Sequence, residues 1–221
     1  MLETHEIETG PNPRTTLVVL HGLGADGHDF VPICGELDLK GLGPVRYVFP
    51  HAPQRPVTIN NGYVMRAWYD ILGVDLVRRE DEAGLRESQQ QISALLDRER
   101  ERGVAAERIV LMGFSQGCAM TLMTALRYPH RLAGAVGLSG YLPLAAVAAA
   151  ERHAANAELP IFLGHGRQDP IVPHARGAAS RDALRALRLA APRACGTMGS
   201  WRPWPRKMGR SAFAAWRSAA A

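Results

Sequence analysis

Ser115 stands between two glycines in GFSQG (113–117), after an apolar run and ahead of a helix-like stretch. A hydroxyl on a sharp strand-to-helix turn is lifted above a sheet and can serve as a nucleophile, provided the residues two before and two after it are small. Such a turn also aims the N–H groups that open the helix, at the positive end of its dipole, toward a developing oxyanion. A Gly-rich turn whose serine only caps the helix would use the same residues. HGLGADGHDF (21–30) follows an earlier apolar run, and its glycines let backbone N–H groups approach a ligand closely. It has neither G-x-G-x-x-G spacing nor G-K-[ST], so a nucleotide is not its expected guest. An oxyanion hole would draw one donor from Gln116 and a second from this loop, with Leu23 the natural choice. Asp169, in GHGRQDPIVP, is placed to hold an imidazole base in the right tautomer. Serine before aspartate is the chain order of an α/β-hydrolase, although an Asp preceding Pro170 is also an ordinary turn residue.

These residues need a scaffold that brings strand ends together. TTLVVLHG (15–22), VRYVF (45–49), RIVLMGF (108–114), LAGAVGLSG (132–140) and LPIFLGHG (159–166) read as buried strands. Helices are expected over 80–102, where Leu85, Ile92, Leu95 and Leu96 form one stripe closed by Gly103, and over 116–127 and 175–190. The alternation predicts one α/β domain across residues 1–221, a mostly parallel sheet with helices on both faces. Ligands of such sheets bind beyond the carboxyl ends of the strands, which is where every residue named above falls.

At 221 residues the chain is long enough for one sizeable core. No apolar run reaches the roughly 18 residues of a membrane helix. The start, MLETHEIETGPNPR, lacks the layout of a secretory signal. Cys34, Cys118 and Cys195 are odd in number and scattered, so neither a disulfide framework nor a zinc site is indicated. The expected location is cytoplasmic. Net charge is +5, but residues 183–221 carry seven Arg and Lys207 with no acid, which leaves −3 on residues 1–182. A body that is slightly acidic is not a nucleic-acid surface.

LHGLGADGHDF, PHAPQRPVTINNGYVMRAWYDI, ERIVLMGFSQGCAM, GLSGYLP and LGHGRQDPIVP together resemble the phospholipase/carboxylesterase family, from about residue 14 to 188. The resemblance implies an α/β-hydrolase fold without a large cap domain, Ser115 as nucleophile, Asp169 as triad acid, Leu23 and Gln116 as oxyanion donors, and no cofactor or metal. It also implies an acyl groove along residues 56–77, where Val64, Met65, Trp68 and Leu72 are the expected substrate contacts; the same side chains could be ordinary core. The expected partner is a small-molecule ester, with a homodimer left open and neither nucleic acid nor stable membrane insertion foreseen. Cleavage of short to medium acyl esters through an acyl-Ser115 intermediate is the expected reaction. Thioester or lysophospholipid hydrolysis would use the same machinery.

One part is absent. Similar proteins carry the triad histidine near the C-terminus, and this chain has no histidine after His174. Its tail has no β-branched run for a last strand, and three of the four tryptophans fall within 201–216. Ala, Arg, Gly, Pro, Ser and Trp in this mixture are what a GC-rich gene gives when read out of frame. Out-of-frame translation from about codon 190 is the reading this favours, and a divergent or disordered tail is the alternative. His21, His51 and His165 flank the expected site, yet the first and last have structural roles in similar proteins. A hydrolase fold that binds acyl ligands or a protein without turnover is the rival from another class.

Overall fold

The computed structural model describes residues 1–73 and 80–187. The tail after residue 187, with Cys195, and the 74–77 end of the expected groove lie outside the described residues.

The elements run β1 (Thr4–Glu8), β2 (Thr15–Leu20), α1 (Ile33–Glu36), β3 (Val45–Pro50), β4 (Gln54–Val57), β5 (Tyr63–Arg66), α2 (Glu82–Glu101), β6 (Ile109–Phe114), α3 (Gln116–Arg127), β7 (Gly134–Leu138), α4 (Ala148–Glu151), β8 (Ile161–Gly164) and α5 (His174–Ala186). Six strands form one sheet in the order β1-β3-β2-β6-β7-β8, parallel throughout except for β1. This is the α/β-hydrolase scaffold, a mostly parallel sheet with no large cap among the described residues. The five expected strands and three expected helices are present, with described ends within a few residues of those expected; residues 188–190 of the last expected helix lie outside the described residues.

Side chains alternate across each strand, so β2 feeds two cores. Val18 and Leu20 enter the larger one with Leu85, Ile92, Leu95 and Leu96 of α2, while Leu17 and Val19 pack with Phe30, Ile33, Tyr47 and Phe49 on the other face. The α2 stripe is the one its sequence spacing gives. Asp81 caps its start by accepting from the Gly84 N–H at 3.0 Å, and Gly103 ends it at φ 88°. Near its end the fully buried Glu99 accepts from Arg46, Arg102 and Thr16, which ties α2 to β2 and β3.

Besides the one-turn helices α1 and α4, an edge strand and a hairpin were not expected. β1 is an antiparallel edge strand, His5 opposite Phe49, whose residues THEIE are half-buried and mixed in polarity. β4 and β5 form a separate hairpin that pairs only with itself. Its base is closed by Ala67 N–H to the Pro53 carbonyl at 3.0 Å and is bonded to the body by Gly24 N–H to the Arg66 carbonyl at 2.9 Å.

Candidate active site

Ser115 occupies the junction of β6 and α3 with φ 54° and ψ −117°. A β-carbon at positive φ is strained, and such strain persists only where the surroundings impose it. Here they do. Ser115 N–H donates to the Leu138 carbonyl of β7, and the helix locks on behind it through Ala119 N–H and the Ser115 carbonyl at 3.2 Å. Gly113 and Gly117 leave the turn its room: a β-carbon at Gly117 would come inside 3.0 Å of the carbonyls of Leu20 and His21, and one at Gly113 inside 3.0 Å of the Gly117 carbonyl and Thr121 Oγ1.

The 21–30 loop leaves β2 directly beside the serine, with the Cβ direction of Gly22 pointing to within 3.4 Å of Ser115 Cβ. Two hydrogen bonds set the planes of the expected donors. A trans peptide points its N–H opposite to its carbonyl, so whatever holds the Gly22 carbonyl also aims Leu23 N–H. His21 Nδ1 meets that carbonyl at 2.7 Å. The Ser115 carbonyl, held by Ala119, aims Gln116 N–H in the same way. That N–H belongs to the first turn of α3, whose donors have no partner within the helix.

Asp169 lies in the loop after β8, on the same sheet edge, and its side chain is 6% exposed. Its Oδ1 accepts from the N–H groups of Ile171 (3.0 Å) and Val172 (2.9 Å), which fixes the carboxylate. Oδ2 lies 3.6 Å from His165 Nε2.

The histidines near this edge are committed elsewhere. His21 accepts from Ala52 N–H through Nε2 at 3.0 Å, so its Nδ1 carries the proton and donates to Gly22. Burial holds its pKa down to about 4. His165 Nε2 bonds the Val172 carbonyl at 2.7 Å. His51 Nδ1 accepts from Gly27 N–H at 3.1 Å. Asp26, His28 and His51 bring ligand-type atoms within 4.8 Å of one another, but Asp26 is spent capping the turn at His28 N–H, at 2.7 Å.

A pH effect on stability follows from His21. The unfolded imidazole protonates near pH 6.5, whereas the folded one resists down to about 4. Between these values the unfolded chain binds the extra proton, so stability is complete above pH 6.5 and is lost as pH falls toward 4. His51 is shifted in the same direction. Urea unfolding at pH 7 and pH 5 should differ by on the order of 2 kcal/mol, with the lower pH less stable. Equal stability at the two values would contradict the neutral, buried imidazole.

Of the expected acyl contacts, Val64 (53%) and Leu72 (38%) are exposed and Met65 is half-buried, its sulfur 3.6 Å from the Cβ direction of Gly24. Trp68 is not at the surface. It is completely buried, with its indole N–H bonded to the His21 carbonyl at 2.9 Å. As placed, it presents no face to a substrate. Of the two readings left open for it, groove contact and core, Trp68 takes the core position, and burial is what requires its indole N–H to find a protein acceptor.

Residues 2–208 match the phospholipase/carboxylesterase family, reaching past the point near residue 188 where the sequence blocks leave off. Acyl-protein thioesterase 1 of Schizosaccharomyces pombe is 41% identical over 165 residues, 75% of this chain and 73% of the relative. The crystal structure of Arabidopsis thaliana SOBER1 superposes with a TM-score of 0.76 at 32% identity, covering 81% of this chain and 86% of that one. Zea mays acyl-protein thioesterase 2 gives 0.77 at 26% identity over 100% and 99%. No helix among the described residues is long and apolar enough to cross a membrane. With its sheet, its strained serine turn and these relatives, the chain belongs to the phospholipase/carboxylesterase family and is a hydrolase of the esterase and thioesterase type.

Proposed function

We propose that Ser115 is the nucleophile of an ester or thioester hydrolase acting on short to medium acyl groups. The backbone of Ser115, held at φ 54° beside Gly22, carries this reading. Ser115 Oγ attacks the acyl carbonyl carbon as its proton passes to an imidazole base, and the oxygen that gains charge is met by the N–H groups of Leu23 and Gln116. The C–O or C–S bond then breaks, the leaving alcohol or thiol takes up a proton, and water releases the acid from the acyl-serine. Asp169 is suited to orient an imidazole that carries those protons. Two of the named relatives, from Schizosaccharomyces pombe and Zea mays, are acyl-protein thioesterases, which supports a thioester as a substrate class alongside simple esters.

A fluorophosphonate should give one adduct by intact mass, and Ser115→Ala should lose it. An adduct that survives the substitution would overturn the nucleophile assignment. Chain-length preference has its own test. A surface offering Val64, Met65 and Leu72, with no large lid among the described residues, gains about 0.8 kcal/mol per buried methylene only until it is filled. Efficiency on p-nitrophenyl esters, measured with imidazole supplied as base, should rise from acetate to between butyrate and octanoate and then fall. A continued rise to palmitate would point to a long-chain substrate.

A further inference from the structure

Trp68 is fully buried, yet bonds run from it in three directions. Its indole N–H donates to the His21 carbonyl (2.9 Å), its backbone N–H donates to Gln116 Oε1 (3.0 Å), and Ser88 Oγ donates to its carbonyl. Gln116 completes a second closure, its Nε2 donating to the Tyr69 carbonyl at 2.8 Å. That amide is 3% exposed and is bonded at both ends to consecutive residues, so its orientation is fixed. A buried indole needs one acceptor, and many carbonyls would satisfy it. The one it takes opens the 21–30 loop. The amide on its other side belongs to the residue that follows Ser115. One residue therefore spans the two backbone segments that lie on either side of the serine.

We infer that Trp68, working through the Gln116 side chain, is a positioning residue that sets the spacing between the Leu23 and Gln116 N–H groups and joins both to the acyl-binding segment. This rests on the oxyanion reading given under Proposed function. The segment from Arg66 to Ile71 is bonded to the body along its length. Arg66 accepts from Gly24, Trp68 and Tyr69 hold Gln116, and Asp70 N–H donates to Asp81 at 2.8 Å. These bonds tie the segment between the expected acyl contacts Met65 and Leu72 to the His21 carbonyl, one peptide before the Gly22 carbonyl that aims Leu23 N–H, and to the side chain of Gln116. The predicted signature is a change in the rate of the chemical step with little change in binding, because the exposed side chains that meet the acyl chain are left alone.

The test is Ser115 phosphonylation by an octyl fluorophosphonate, followed by intact mass at several probe concentrations. Trp68→Phe keeps a ring in the core and removes the indole donor. Gln116→Met removes both amide bonds and leaves the core ring intact, so it serves if Trp68→Phe does not fold. The maximal inactivation rate should fall about five- to tenfold in either, as expected for the loss of one or two neutral hydrogen bonds. The half-saturating probe concentration should hold, and the double variant should lose little more than each single one. Unchanged maximal rates with the adduct on Ser115 would overturn this inference alone. So would a parallel loss of rate, probe affinity and thermal stability, which marks a merely structural residue. An adduct that persists in Ser115→Ala overturns the nucleophile reading, and this inference with it.

Discussion

The 221-residue chain should hydrolyse p-nitrophenyl butyrate about 10⁴- to 10⁶-fold more slowly than a complete serine-hydrolase triad would, and imidazole in the buffer should restore part of the loss. The slow rate follows from the residues. No histidine occurs after His174, and His21, His51 and His165 are each bonded to backbone elsewhere. Losing one triad member in serine proteases costs this range in turnover, while the oxyanion donors keep some rate over water. An added imidazole would supply the proton carrier, and Asp169 has Oδ2 available on that sheet edge to orient it. Because imidazole attacks such esters unaided, the quantity to measure is the difference between wild type and Ser115→Ala at each imidazole concentration. That difference should grow with imidazole. A gene read in a frame that supplies a histidine near position 200 should raise activity by several orders of magnitude without imidazole. Fast, Ser115-dependent turnover by the chain as it stands would show that a base lies within it, and single substitutions of His21, His51 and His165 would then locate it.

Gly117→Ala should leave little folded protein. The added methyl would collide with the carbonyls of Leu20 and His21. Neither is a flexible side-chain end, since Leu20 is paired to Gly113 in the sheet and the His21 carbonyl is held by Trp68. Overpacking of a tight core costs about 1–3 kcal/mol. A collision with rigid backbone on two sides should exceed that and remove most of the roughly 5–15 kcal/mol of a typical domain. Soluble yield and the midpoint of thermal unfolding would register it. A variant that expresses and melts like wild type would mean that the turn is not packed against β2 as described.

Long, uniform stretches were the legible part of this sequence. TTLVVL is a short, continuously apolar run and the α2 stripe repeats at helical spacing, and GFSQG, HGLGADGHDF and Asp169 sit at strand ends that such runs locate. β1 escaped because THEIE is an edge strand with neither a continuous apolar run nor a fully buried face, so its pairing with β3 is decided by tertiary contact. The hairpin escaped for a related reason: QRPV contains Pro56, which demotes a strand, and YVMR is too short to show alternation. Trp68 was seen but misplaced. Beside Met65 and Leu72 it reads as another apolar contact, and nothing local reveals that its N–H would turn inward to His21, a residue 47 positions away. The histidine that is missing from the tail is, by contrast, purely a sequence observation.

The β4–β5 hairpin has a consequence for how this scaffold can diversify. Its strands bond to each other, its base is fastened at Gly24 and Pro53, and Thr58 and Ile59 are held by Asp70 and Ile71. The turn from Asn60 to Gly62 is exposed, and no strand of the main sheet passes through it. Extra residues there would lengthen a loop whose closure entropy grows by only about 0.6 kcal/mol per doubling. New side chains could thus be added beside Met65, whose sulfur Asn60 Nδ2 meets at 3.5 Å, while the nucleophile turn stays in register. The hairpin tip is an insertion port, a place where the range of substrates can drift without the chemistry being rebuilt.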